Sequence, residues 1–213
     1  AFDGDADRAL FVNQEGALVD GDGILYVSGL HLKEKGRLHS HSGHPAVVAT
    51  VMSNLGLEVA LKAEGIGMLR TAVGDKYVLE EMVASDLMLG GEQSGHVIFR
   101  EYATTGDGLL TCLRVLEAMR ETGRSLKELT QGLALFPQKL LNIRVRERRP
   151  FQEMPAVAAE IDAAEKHFDG DGRVLVRYSG TELLARVMIE ARDAGDVDRY
   201  CEKIASAIRA EIA

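Results

Sequence analysis

Three carboxylates at alternate positions open the chain, in Ala1-Phe2-Asp3-Gly4-Asp5-Ala6-Asp7-Arg8. With only Gly4 and Ala6 as spacers, Asp3, Asp5 and Asp7 repel one another and call for a compensating cation or full solvation. A hard ion such as Mg²⁺, which prefers oxygen ligands and keeps waters or a phosphate oxygen in its shell, suits the set. A solvated acidic turn is the alternative that the spacing leaves open. A calcium loop of the EF-hand type fails on position: Arg8 stands where glycine is required, and Gln14 where a bidentate glutamate is required. Arg8 adds a fixed guanidinium, able to hold phosphoryl oxygens from a second side.

Two further stretches carry chemistry. In Gly90-Gly91-Glu92-Gln93-Ser94-Gly95-His96, glycines allow a tight loop from which Glu92, Ser94 and His96 project at alternate positions and can reach sugar hydroxyls together. The same residues also read as a hairpin turn with incidental polar side chains. In Arg177-Tyr178-Ser179-Gly180-Thr181-Glu182, a guanidinium, two hydroxyls and a glycine-freed backbone form a nest for a dianionic phosphate, with Arg186 near enough to add a second cation. Other clusters are plainer. His39, His41 and His44 lack a fourth zinc ligand at a recognised spacing and read as a polar loop. Asp20-Gly21-Asp22-Gly23 reads as a helix cap, and Asp169-Gly170-Asp171-Gly172 as a turn.

The elements that must position these residues follow from periodicity. A hairpin, 9–12 and 17–19 about Glu15-Gly16, flanks the acidic loop. A helix capped by Asp20 or Asp22 then runs to Gly36. Strands are expected at 46–51, 66–69, 87–89 and 97–99. They alternate with helices beginning at Met52-Ser53-Asn54, at an Asp75 cap and at an Asp107 cap, which is the signature of an α/β layer. Ser125 and Glu128 form a capping box for a helix predicted to reach Leu133. After Phe136-Pro137 the pattern changes to strand 140–145, helix 155–168, strands 173–178 and 185–191, and a terminal helix 197–212. That βαββα order predicts a small mixed sheet with both helices on one face, an α+β domain, and a boundary near Pro137.

At 213 residues, 46% of them apolar, the chain can bury one large core or two modest ones. Trp is absent, so those cores must be aliphatic. A formal charge of −8 with no basic stripe argues against a nucleic-acid scaffold, while local arginines can still hold small anions. Cys112 and Cys201 lie far apart within helical patterns, which argues against a disulfide framework and for a reducing, cytoplasmic setting. No apolar run reaches membrane-spanning length, and no signal peptide opens the chain. The chain lacks an initiator Met and opens inside a working motif, so it is expected to be a fragment.

In this order the three stretches resemble the α-D-phosphohexomutase superfamily, where D-G-D-(G/A)-D-R is the metal loop, G-E-x-S-G-H the sugar loop and R-x-S-G-T-E the phosphate loop. Thr50-Val51-Met52-Ser53-Asn54, Val73-Gly74-Asp75-Lys76-Tyr77-Val78 and Thr104-Thr105-Gly106-Asp107-Gly108 extend the resemblance along essentially the whole chain. It implies the end of domain 2 at 1–20, domain 3 at 21–136 and domain 4 at 137–213. It also implies Mg²⁺ on Asp3, Asp5 and Asp7, and Arg8 beside a phosphoserine. Glu92, Ser94 and Lys76 would serve the sugar, with His96 as a proton carrier. Arg177, Ser179, Gly180, Thr181 and Arg186 would clamp the phosphate on the non-reacting end. The implied reaction moves a phosphoryl group between the 6-OH and 1-OH of a glucosamine phosphate through a bisphosphorylated intermediate, making a precursor of amino-sugar nucleotides. The expected partner is a phosphosugar, with no nucleic acid and no membrane; a homo-oligomer of the full-length protein stays open. Three departures stand out. The T-x-S-H-N-P serine loop is absent, and Ser42-Gly43-His44-Pro45 is only a superficial echo of it. Leu183 replaces a frequent proline. Met52 replaces a lysine usual in phosphomannomutase and phosphoglucomutase relatives, which points to the glucosamine branch.

Overall fold

The computed structural model describes residues 1–41 and 43–213, so Ser42, the serine of that echo, lies outside the described residues. The chain forms two compact units, Ala1–Leu135 and Phe136–Ala213.

The first unit is built on strand β3, Ala46–Thr50, every residue of which is buried. Because side chains alternate along a strand, Val47 and Ala49 enter one core while Ala46 and Val48 enter another. A strand buried on both faces must lie between helical layers. Helices α1 (Gly21–Glu34), α2 (Leu55–Ala63) and α4 (Gly108–Thr122) supply the first core through Ile24, Leu25, Leu57, Leu61 and Val115. Helix α3 (Asp75–Ala84) supplies the second through Val78 and Met82. The sheet order is β4-β3-β5-β6, where β4 is Gly67–Thr71, β5 Leu89–Gly91 and β6 Val97–Phe99. Strand β3 runs parallel to both β4 and β5, and β6 returns antiparallel. Ahead of this layer, β1 (Phe11–Val12) and β2 (Leu18–Val19) form the expected hairpin.

Several boundaries differ from the sequence reading for local physical reasons. Strand β5 includes Gly90 and Gly91, which read as loop. A Cβ on Gly90 would lie 2.6 Å from Met82 Sδ, and one on Gly91 2.7 Å from the His96 carbonyl, so tertiary contact selects glycine inside the strand. Asp75 does not cap α3; Gly74 occupies that position with φ +134°, and no side chain caps the helix. Helix α5 stops at Leu129 and does not reach Leu133. The Ser125–Glu128 capping box forms, but the Thr130 hydroxyl bonds the Leu126 carbonyl, and Gly132 packs where a Cβ would meet Tyr26 Oη at 2.1 Å.

The sheet of the second unit is wholly antiparallel and not mixed as expected, because β9 inserts between β7 and β8 and pairs antiparallel with both: the order is β7-β9-β8, with β7 Gln138–Arg144, β8 Gly172–Tyr178 and β9 Leu184–Ala191. Helices α6 (Pro155–Phe168) and α7 (Ala194–Ile212) cover it, α6 starting with proline in its first turn as the missing N–H allows. Val187, Ile189, Ile204 and Ile208 fill the core between sheet and helices.

Candidate active-site loops

Parallel strands β3, β4 and β5 end at one edge of the sheet; the chain runs from β3 to β4 on one side and then, through α3, crosses to β5 on the other side of β3. Ligands of open α/β sheets bind outside the carboxyl ends of the strands at such a switch point. Here that edge holds a cavity of about 310 Å³ lined by Thr50, Met52, Val73, Glu92, Gln93 and Ser94. Two larger hollows, about 640 and 670 Å³, border α5 and gather no comparable chemistry.

The loop Glu92–His96 is pinned from three directions. Within it, the Glu92 N–H donates to the His96 carbonyl and the Gly95 N–H to the Glu92 carbonyl. From α1, the Gly21 N–H donates to the Gln93 carbonyl at 2.9 Å, and a Cβ on Gly21 would lie 1.9 Å from the Glu92 carbonyl oxygen. From the end of β4, the Gly74 N–H donates to Glu92 Oε1 at 3.0 Å. Asp20 caps α1 at this junction, and its burial pushes its carboxyl up despite N–H groups from Gly23 and Asp22. Arg70, which sequence reasoning did not single out, fixes the loop carrying Met52 by donating to the Thr50 and Ser53 carbonyls at 3.3 and 2.8 Å. Lys76 stands apart from the cavity lining; it is exposed, with its ammonium 3.7 Å from Glu80.

The acidic loop folds beside this one. Ala6 adopts φ +60°, a left-handed conformation that costs an alanine about 1 kcal/mol and turns the loop back on itself. Candidate ligand oxygens of Asp3, Asp5 and Asp7 then lie within 4.8 Å of one another, the only such set among the described residues. The histidine tract therefore gathers no metal set; His41 faces Asp86 at 3.6 Å. Asp7 Oδ1 is buried without a hydrogen-bond partner, with Arg8 Nε at 3.7 Å. An orphaned buried carboxylate oxygen beside two exposed carboxylates fits a hard divalent cation, for which oxygen ligands are the normal set. Desolvation alone would raise the Asp3 carboxyl, but the Arg8 N–H at 3.2 Å and the Arg8 charge hold it below the usual range. Backbone bonds Ala9 N to Gly95 O (3.1 Å) and Gly108 N to Ala6 O (2.9 Å) tie the acidic loop to the Glu92–His96 loop and to the start of α4.

His96 joins these loops directly. The ring is buried; Nδ1 lies 3.2 Å from Asp7 Oδ2, and Nε2 accepts the Gly106 N–H at 3.0 Å. Both ring nitrogens thus have partners within the chain.

In the second unit, Arg177 on β8 and Arg186 on β9 are register partners in the antiparallel pair. Burial, and then the neighbouring Arg186 charge, lower the Arg177 guanidinium pKa. Two cations opposed in this way repel, and Glu182 Oε2 lies 3.8 Å from Arg186 Nη2. Arg186 Nε is itself buried without a partner. Ser179 is buried, and its hydroxyl accepts the Glu182 N–H at 3.4 Å, while Gly180 and Thr181 stand exposed. Arg148, also missed in the sequence, donates to the Gly180 and Glu182 carbonyls at 3.3 and 3.0 Å. Tyr178 secures the segment leading to Arg148 by donating to the Arg149 carbonyl and stacking on Phe151 at 4.5 Å.

The fold combines a mixed sheet between helical layers, with its acidic and Glu92–His96 loops at the strand ends, and a second unit whose β8–β9 hairpin carries paired arginines. The phosphoglucomutase/phosphomannomutase α/β/α domain III profile matches residues 20–136, and that family's C-terminal domain profile matches 140–207. The chain belongs to the phosphoglucomutase/phosphomannomutase family. Among individual relatives it is similar to the phosphoglucosamine mutase of Solibacter usitatus, at 57% identity over 100% of this chain and 47% of the relative. It is also similar to that of Leuconostoc mesenteroides, at 53% identity over 98% and 45%. The chain thus spans about half the length of the curated relatives it matches. Its fold is shared with Aspergillus fumigatus N-acetylphosphoglucosamine mutase, at TM-score 0.81, 22% identity and coverage of 98% of this chain and 47% of that one. A structure of the same fungal enzyme in complex with GlcNAc-6P and magnesium matches at TM-score 0.78 and 23% identity, over 97% and 51%.

Proposed function

We propose that the protein to which this chain belongs is a phosphoglucosamine mutase, an isomerase that interconverts glucosamine 6-phosphate and glucosamine 1-phosphate through a phosphoserine enzyme and a bisphosphorylated sugar. The observation that carries this reading is the junction of acidic and sugar loops, in a chain 57% identical to a protein of that name. Asp3, Asp5 and Asp7 hold Mg²⁺, which offsets charge on a transferring phosphoryl group. Arg8 binds the oxygens of that group. Glu92 keeps one carboxylate oxygen on Gly74 and presents the other to sugar hydroxyls together with Ser94; Lys76 serves the substrate from the start of α3 in a full-length protein. Arg177, Arg186, Gly180 and Thr181 bind the phosphate of the non-reacting end, and Ser179 shapes their loop. Residues 1–20 close the preceding domain, 21–136 are domain 3 and 137–213 domain 4. The nucleophilic serine belongs, in this reading, to the half of the relatives that this chain does not span. A cytoplasmic setting fits these substrates, and among the described residues no helix is long and apolar enough to cross a membrane.

A coupled assay on the full-length protein, primed with a hexose bisphosphate, tests this. Turnover of glucosamine 6-phosphate well above that of mannose and glucose phosphates is expected, with no turnover by the 213 residues alone. A preference for mannose or glucose phosphate assigns the protein to the other branch of its family. No turnover of any hexose phosphate leaves a phosphosugar-binding module.

A further inference from the structure

The hollow of about 640 Å³ beside α5 lies away from the strand-end loops and carries a different chemistry. Tyr26, Leu30, Lys33 and Glu34 line it from the second half of α1, whereas Gly21, at the start of that helix, holds the Glu92–His96 loop. Glu64, which ends α2, and Arg124, which follows α4, stand on its rim. Tyr26 is only 3% exposed, yet among the described residues its hydroxyl makes no hydrogen bond. That oxygen sits against Gly132 on the cavity wall, where a Cβ would lie 2.1 Å from it. Burial pushes the hydroxyl pKa up, the Glu64 charge adds to that and the Arg124 charge opposes it, so both groups lie within electrostatic reach of it. A buried hydroxyl without a partner is costly, and the cavity it faces is where a partner can enter.

The charges around it are also unmatched. Lys33 donates to the Glu64 carbonyl, and Arg124 to the Glu128 carbonyl at 2.6 Å. An ammonium has three donors and a guanidinium five, so both cations keep donors for a ligand. Among the described residues no carboxylate pairs with either cation, and no cation pairs with Glu34 or Glu64. Unpaired charges of both signs around one cavity select a ligand that carries both. We propose that this cavity is a second ligand site, for an amino-sugar phosphate: Lys33 and Arg124 take the phosphate, Glu34 and Glu64 the ammonium, and the Tyr26 hydroxyl an oxygen of the sugar. Leu30 and Leu129, also in the lining, pack against its C–H face. The ligand is named on the strength of the reaction proposed above, while the site shares no residue with the loops assigned to that reaction.

The test titrates glucosamine 6-phosphate into the 213-residue chain and follows backbone amide signals. Signals of 26–34 and 124–132 should shift together, and should go on shifting in Arg177→Ala. Lys33→Ala should weaken this binding about tenfold and Tyr26→Phe about fivefold, as for a lost charged and a lost neutral hydrogen bond. Both variants should melt near the wild-type temperature, which separates lost contacts from lost folding. Glucose 6-phosphate, which lacks the ammonium, and glucosamine, which lacks the phosphate, should each bind here about tenfold more weakly. Equal binding of glucose 6-phosphate overturns the proposal, as do shifts confined to 92–96 and 177–182 or shifts at 26–34 that neither variant weakens. Turnover by the full-length protein without these shifts keeps the mutase reading and ends this proposal; these shifts without turnover do the reverse.

Discussion

The two units hold their candidate loops by different means. In the first, the Glu92–His96 loop is wired by bonds from Gly21, Gly74 and Ala9, elements far apart in sequence, and by glycines whose added Cβ would strike backbone or ring atoms. In the second, residues 180–183 are exposed, a Cβ on Gly180 meets nothing within 4 Å, and Arg148 with Ser179 supplies the side-chain bonds to the loop. Under the proposed function the first loop would orient a sugar and a cation and gain from rigidity, because small displacements of reacting groups are costly. The second would bind a phosphate remote from the chemistry, where charge from two arginines matters more than fixed geometry.

That contrast breaks first at glycine. Gly21→Ala should destabilise the first unit by about 3 kcal/mol, since a Cβ at 1.9 Å from a backbone oxygen forces the loop away. Gly180→Ala should change stability by no more than about 0.5 kcal/mol. Chemical denaturation of both variants measures this, and equal losses would end the comparison. Next in size, Arg177→Ala should weaken phosphosugar binding by the full-length protein by about 1.5 to 3 kcal/mol, the range for a charged hydrogen bond, while leaving its melting temperature nearly unchanged. Unchanged affinity in a calorimetric titration would take Arg177 out of the site.

A smaller effect concerns acid. Glu121 on α4 ties α1 through Lys35 at 2.8 Å and His31 at 3.0 Å, and these partners lower its carboxyl from 4.5 to about 2. A carboxyl depressed in the folded state stabilises fully above its unfolded value and loses that contribution as pH falls through its folded one. The tether should therefore weaken between about pH 4.5 and 2, and Glu121→Gln should flatten that part of the stability curve. A variant that melts with the same acid dependence as wild type would show that the tether contributes nothing measurable.

Much of this organisation is legible in local sequence, where a local rule suffices. Asp107 caps α4, Ser125 and Glu128 form their box, and α6 runs from Pro155 to Phe168 because caps, periodicity and proline act over a few residues. Gly90 and Gly91 misled because their conformational freedom suggested a turn, whereas the strand uses their lack of a side chain against Met82 and His96. His96 was legible as a polar residue of interest and not as a doubly engaged one, since Asp7 and Gly106 lie 89 and 10 positions away by subtraction of their numbers. Arg70 and Arg148 act through backbone carbonyls, and no motif marks an arginine whose partners are main-chain atoms.

In the proposed function the acidic opening is a cation site held against the Glu92–His96 loop. The most direct measurement is site-resolved paramagnetic broadening of backbone amide signals as Mn²⁺ is titrated into the chain. The account predicts that the first signals to broaden lie in 3–8, 94–96 and 105–108, and that Asp7→Asn removes the effect. Broadening that begins elsewhere, for instance at Asp20 and Asp22, or that survives Asp7→Asn, would contradict it.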